Sequence, residues 1–98
     1  MKLTIKNDTK TQKFFIDIFG KECALKYEKT AGDTILDLKM MFVPKNLRGQ
    51  GVASKLVEYA IQYAKKNNLK VRASGCDYIQ EYLDTHKEHQ EMIAQPVI

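Results

Sequence analysis

Apolar residues recur at every second position through the first half of the chain, and the period then changes. Leu3 and Ile5 alternate with polar positions near the N-terminus. Phe14, Ile16 and Ile18 form a second period-two run, and Gly20-Lys21 follows as a tight turn. Cys23, Leu25 and Tyr27 then alternate with Ala24, Lys26 and Glu28. After a turn at Thr30-Ala31-Gly32-Asp33, Leu36, Leu38, Met40 and Phe42 alternate with Asp37 and Lys39. Alternation of this kind predicts half-buried strands. Short turns between them predict an antiparallel meander.

From Gly51 the spacing becomes helical. Val52, Ala53, Leu56, Val57, Ala60, Ile61 and Ala64 fall on one face, while Ser54, Lys55, Glu58, Gln62 and Lys65 cover the other. Asn67-Asn68 ends this helix, and Lys65 and Lys66 suit the negative end of its dipole. Leu69 to Ser74 alternates again and reads as a strand. Strand, helix and strand with a crossover of this length make a right-handed βαβ unit. Asp77 is the expected N-cap of a further helix to about Leu83, with Gln80 as its partner. His86 to Gln95 is expected to add a short helical piece. The fold class is therefore α+β, a mixed and mostly antiparallel sheet with one parallel pair.

A length of 98 residues, with 44% apolar and 29% charged residues, predicts a single domain over 1–98. No apolar stretch approaches the roughly 20 residues of a membrane span. The N-terminus lacks the apolar core of a signal peptide, so a cytoplasmic location and no membrane partner are expected. The two cysteines, Cys23 and Cys76, lie far apart and form no metal or disulfide motif, so no metal is expected. The net charge of +4 suits a phosphate-bearing ligand. The lysines are scattered and not interleaved with aromatics, which argues against nucleic acid as a partner.

The chemistry concentrates where the period changes. Arg48-Gly49-Gln50-Gly51-Val52-Ala53 links the strand ending Met41-Phe42-Val43-Pro44 to the helix. A glycine-rich turn entering a helix offers free amides and the positive end of the dipole to phosphate. A Walker loop needs glycine directly before Lys-Ser/Thr, and here Ser54 precedes Lys55. A dinucleotide fingerprint needs a third glycine where Ser54 stands, and it belongs to a different sheet. The remaining pattern is Arg/Gln-x-x-Gly-x-Gly/Ala, which Arg48, Gly51 and Ala53 match.

On these residues, with Val43-Pro44 before them and Leu56-Val57 and the strand from Leu69 after them, the chain resembles the GNAT acetyltransferase superfamily. It is similar to the short, minimal members. The resemblance implies a GNAT-like acyl-CoA acyltransferase fold lacking the usual N-terminal helices. It implies acetyl-CoA (coenzyme A) as cofactor, its pyrophosphate held by Arg48, Gly49, Gln50, Gly51, Val52, Ala53 and Ser54. By the same resemblance, Phe42 and Val43 offer backbone groups to the pantetheine arm, like an added strand. The implied reaction is acetyl transfer to an amine.

Acetyl transfer needs a proton donor for the leaving sulfur, and the family often uses a tyrosine. Tyr78 and Tyr82 both lie on the helix where the resemblance puts it, and spacing does not choose between them. Cys76 is a candidate nucleophile at the start of that helix, where thiol pKa values fall. The minimal members also carry a cysteine there, although Cys76-Asp77 and His86-Lys87 stand where they often show Cys-Pro and His-Pro. His86 and His89, three apart, share a face with no third ligand and read as structural. The acceptor is an amine of unknown kind, small molecule or protein, and its cleft is open or completed by a second subunit, as monomer or homodimer. The alternatives are a non-catalytic acyl-CoA-binding or sensing module and a small basic nucleic-acid-binding domain.

Overall fold

A computed structural model describes residues 4–30 and 32–93. The strands are β1 (Lys6–Asp8), β2 (Lys13–Ile18), β3 (Lys21–Thr30), β4 (Ile35–Phe42) and β5 (Lys70–Arg72). The helices are α1 (Val52–Lys66) and α2 (Asp77–Thr85), with 3-10 turns at Lys45–Leu47 and Lys87–Met92. The sheet runs in the order β1-β2-β3-β4-β5. Its first three pairings are antiparallel and the last, between β4 and β5, is parallel. This is the mixed α+β architecture expected from the alternation, with α1 as the crossover.

The core lies between the sheet and α1. Phe14, Leu25, Leu36 and Leu38 from the strands meet Leu56, Val57, Ala60 and Ile61 from the helix, all buried. Burying each Leu or Ile side chain contributes about 1.5–3 kcal/mol relative to leaving it exposed. Phe14 anchors the far end. It stacks on Tyr27 with ring centroids 4.5 Å apart and meets the edge-on rings of Tyr59 and Tyr63. Asn67 closes α1, its side-chain amide donating to the Tyr63 carbonyl at 2.8 Å.

Several local expectations are corrected. Among the described residues the first strand is Lys6–Asp8 and does not take in Ile5; Leu3 lies outside the described residues, as do Ala31 and Gln95. The hairpin turn centres on Phe19 and Gly20, both at positive φ, instead of Gly20-Lys21. Two positive φ values give a turn whose twist matches the flanking strands. β5 is shorter than Leu69 to Ser74, although Leu69 and Ala73 remain buried. The N-cap of α2 is Cys76, with Asp77 in the first turn, and Gln80 donates to Asp84 at 2.9 Å.

The largest correction concerns β4. Its register with β3 passes from Tyr27↔Leu38 to Lys26↔Met40, which leaves Lys39 as an extra residue. Such a bulge reverses the facing of everything beyond it. Leu36 and Leu38 are buried, whereas Met40 and Phe42 are 52% and 54% exposed. Met41 and Val43 turn inward in their place. Asp37, on an alternate position that reads as solvent-facing, is buried instead.

Candidate functional site

The strands β4 and β5 separate just where the bulge begins. Their pairing ends at Asp37↔Arg72, so the outer half of β4 has no strand on that side among the described residues. The gap opens into a cleft of about 440 Å³. Met41, Phe42 and Val43 form its strand wall. Leu47, Arg48, Gly49 and Gly51 to Ser54 form its turn wall, and Cys76 and Tyr78 close it from α2.

The turn wall owes its shape to glycine. Gly49 and Gly51 have φ of +77° and +81°, a region that costs an L-residue about 1–2 kcal/mol. A Cβ on Gly49 would meet no other part of the chain within 4 Å and would instead project into open space. The backbone angle, not internal crowding, is therefore what demands glycine here. Gly51 is the N-cap of α1, and Lys55 is the first residue to donate back, to the Gly51 carbonyl at 3.1 Å. The amides ahead of Lys55 have no partner within the helix. No acidic side chain lies in the first turn to neutralise the dipole. These features fit an anionic group such as a pyrophosphate.

Arg48 has a structural task that spacing did not reveal. It is exposed on the cleft rim, and its Nε donates to the Val43 carbonyl at 2.9 Å. The bond ties the end of the strand wall to the turn wall. Ser54 Oγ donates to the Gly51 carbonyl at 3.0 Å. Gln50 points elsewhere, its amide donating to the Asn46 carbonyl, and it does not line the cleft.

Cys76 is half-buried in the cleft wall, and its side chain makes no capping bond. Cys23 is fully buried in the core, where desolvation and then the nearby Asp17 and Glu22 push its thiol up. The two tyrosines part company. Tyr78 is exposed and lines the cleft. Tyr82 lies outside it, stacked on His86 with ring centroids 3.7 Å apart. Burial, and then Glu58 beside the hydroxyl, push its phenol well above the usual range. Glu58 also accepts from His89 at 2.8 Å, and His86 Nδ1 donates to the Tyr82 carbonyl at 2.8 Å. This Tyr82–Glu58–His89 cluster fastens the last 3-10 turn to α1. Among the described residues, no group of three or more His, Cys, Asp or Glu could hold a metal ion. None of the described helices is long and apolar enough to cross a membrane.

The base of the split holds a network that the sequence reading missed. Asp37 accepts from Ser74 N–H at 3.1 Å, Ser74 Oγ at 2.9 Å and Arg72 at 3.1 Å, and it pairs with Lys39 at 3.2 Å. Burial alone would raise its pKa. The bonds from Ser74, Lys39 and Arg72 outweigh that and hold the carboxyl below its ordinary value.

Residues 13–92 match the family model described as GCN5-related N-acetyl-transferase. Protein NATD1 of Gallus gallus is 31% identical over 83 residues, covering 83% of this chain and 74% of that protein. Protein NATD1 of Homo sapiens is 30% identical, covering 83% and 72%. The NMR solution structure of a GCN5-like protein from Staphylococcus aureus superposes with a TM-score of 0.75 at 27% identity, covering 97% of this chain and 91% of that one. By family model, relatives and fold alike, the chain belongs to the GCN5-related N-acetyltransferase family, whose fold serves acyl-CoA-dependent acyl transfer.

Proposed function

We propose that the chain is a single-domain acetyl-CoA-dependent N-acetyltransferase that moves an acetyl group to an amine. One observation carries the reading: a single cleft joins the unpartnered amides at the start of α1, the free edge of β4 and the side chains of Cys76 and Tyr78. The amides of residues 49 to 54 would hold the pyrophosphate, with Arg48 adding fixed charge at the rim. Phe42 and Val43 would present backbone to the pantetheine arm along the edge that β5 leaves free. The Val43 carbonyl already accepts from Arg48, so its amide and the Phe42 groups are the better candidates for that pairing.

Bound acetyl-CoA would supply the thioester. Cys76 would attack its carbonyl carbon as thiolate and take the acetyl group, and the departing CoA sulfur would receive a proton. The amine would then attack the acetyl-cysteine carbonyl, forming the amide, expelling the Cys76 thiolate and returning a proton to the group that had protonated the CoA sulfur. Tyr78 is the candidate donor of the sulfur's proton, because it shares the cleft with Cys76. Tyr82 is a candidate only through its support of α2, since its hydroxyl faces Glu58.

The test has two stages. CoA binding is measured by calorimetry, and CoA release is then followed with acetyl-CoA and a panel of small amines and lysine peptides. Binding with turnover is expected, and Cys76→Ala should lower turnover by at least about 100-fold if the acetyl group passes through the thiol. Unchanged turnover in Cys76→Ala leaves direct attack by the amine. Binding without turnover for any amine favours the non-catalytic module.

A further inference from the structure

Four observations converge on the point where β4 and β5 part. Asp37 is only 1% exposed, and it forms the last parallel pair with Arg72. Its carboxylate gathers donors from three places: Arg72 at the end of β5, both the amide and the hydroxyl of Ser74, and Lys39 at the bulge. Lys39 Nζ also reaches Ser74 Oγ at 3.0 Å and lies 3.8 Å from Glu28. Gly75, the next residue, runs so close to β4 that a Cβ would collide with the Lys39 carbonyl oxygen. Immediately beyond it stand Cys76 and Tyr78, which close the cleft.

We propose that Asp37 is a positioning residue that sets the cleft. By gripping Arg72, Ser74 and Lys39 at the fork, it fixes the Ser74–Cys76 linker and thereby the placement of Cys76 and Tyr78 across from Phe42 and Val43. A buried carboxylate with this many donors is a poor stability device, since an apolar residue of similar size often serves as well. What it does well is hold several backbone segments in one arrangement. The strand gap needs such a pin, because beyond Arg72 no β4–β5 pairing fixes how far the linker stands from β4. The consequence for the cofactor rests on the acyl-CoA reading above; the consequence for the linker does not.

The test uses the two cysteines as paired probes. Cys76 is half-buried at the end of the linker, whereas Cys23 is fully buried and is alkylated only when the whole domain opens. Alkylation by N-ethylmaleimide is followed for each cysteine by peptide mass spectrometry in wild type, Asp37→Asn and Ser74→Ala, with CoA affinity by calorimetry alongside. A purely structural role speeds both cysteines together. The positioning role changes the Cys76-to-Cys23 rate ratio by at least about threefold and weakens CoA binding about tenfold, because the cleft wall formed by Cys76 and Tyr78 is no longer held in place. A wild-type ratio in both variants overturns the proposal, as does a wild-type CoA affinity beside a changed ratio. Should Asp37→Asn fail to fold, Ser74→Ala decides, because it keeps the Ser74 amide bond and removes only the hydroxyl. Should the wild type bind no CoA, the acyl-CoA reading falls and the cysteine ratio alone decides the positioning claim.

Discussion

The two halves of β4 are continuous in sequence and opposite in character. Ile35 to Asp37 is paired on both sides, to β3 and to β5, and Leu36 and, just beyond, Leu38 are fully buried. Met40 to Phe42 is paired on one side only, and two of its three side chains are half exposed. One extra residue, Lys39, separates them. The inner half is a core strand, and the outer half is a platform whose free edge faces a cleft. Because the platform grows directly out of the core, the cleft inherits rigidity that a loop of the same length would lack.

Substitutions can test how separate the halves are. Leu38→Ala should be the most damaging, at about 2–5 kcal/mol by chemical denaturation, because it leaves a cavity between sheet and α1. CoA affinity measured well below the melting midpoint should change little. A large loss of affinity would mean that the core half also shapes the cleft. Asp37 sits at the junction, and Asp37→Asn should cost about 1–3 kcal/mol at neutral pH. Its acid behaviour has a definite sign. The folded-state pKa is lowered, so the unfolded chain takes up this proton first as pH falls. The associated stability is present above the ordinary value of 3.8 and is lost as pH drops through the lower folded value. Denaturation midpoints followed from pH 6 downward should show a shallower acid limb in Asp37→Asn than in wild type. Equal slopes would remove the carboxylate from that account. Phe42→Ala should be the mildest for stability, within about 0.5 kcal/mol as for an exposed position. The Phe42 ring lines the cleft, so its loss should nevertheless weaken CoA binding several-fold, and no effect on binding would leave the platform's contact with the ligand to its backbone alone.

Much of this fold was legible because buried faces enforce a period. Phe14, Ile16 and Ile18 could only be a strand, and Leu56, Val57, Ala60 and Ile61 only a helix face. The bulge was hidden for the same reason. Leu36, Leu38, Met40 and Phe42 alternate without a break, while Met41 and Val43 carry the opposite phase and are equally apolar. Nothing local says where the strand changes from one phase to the other. Asp37 was missed because an alternate-position carboxylate reads as solvated until its four donors, three of them far along the chain, are brought to it. At the site, the glycine turn was readable because positive φ restricts residue choice. The brace from Arg48 to Val43 and the separation of Tyr78 from Tyr82 were not, since both depend on how packed elements direct side chains.

The aromatic residues divide as the strand does, and this gives the molecule a built-in optical partition. The chain has five tyrosines and no tryptophan. Tyr27, Tyr59 and Tyr63 cluster around Phe14 at one end, while Tyr78 and Tyr82 sit together on α2. Tyrosine signals therefore come from two separate neighbourhoods. A single indole placed at the half-exposed Phe42 would be the only one in the protein, and its emission, excited beyond the range where tyrosine absorbs, would report the cleft alone.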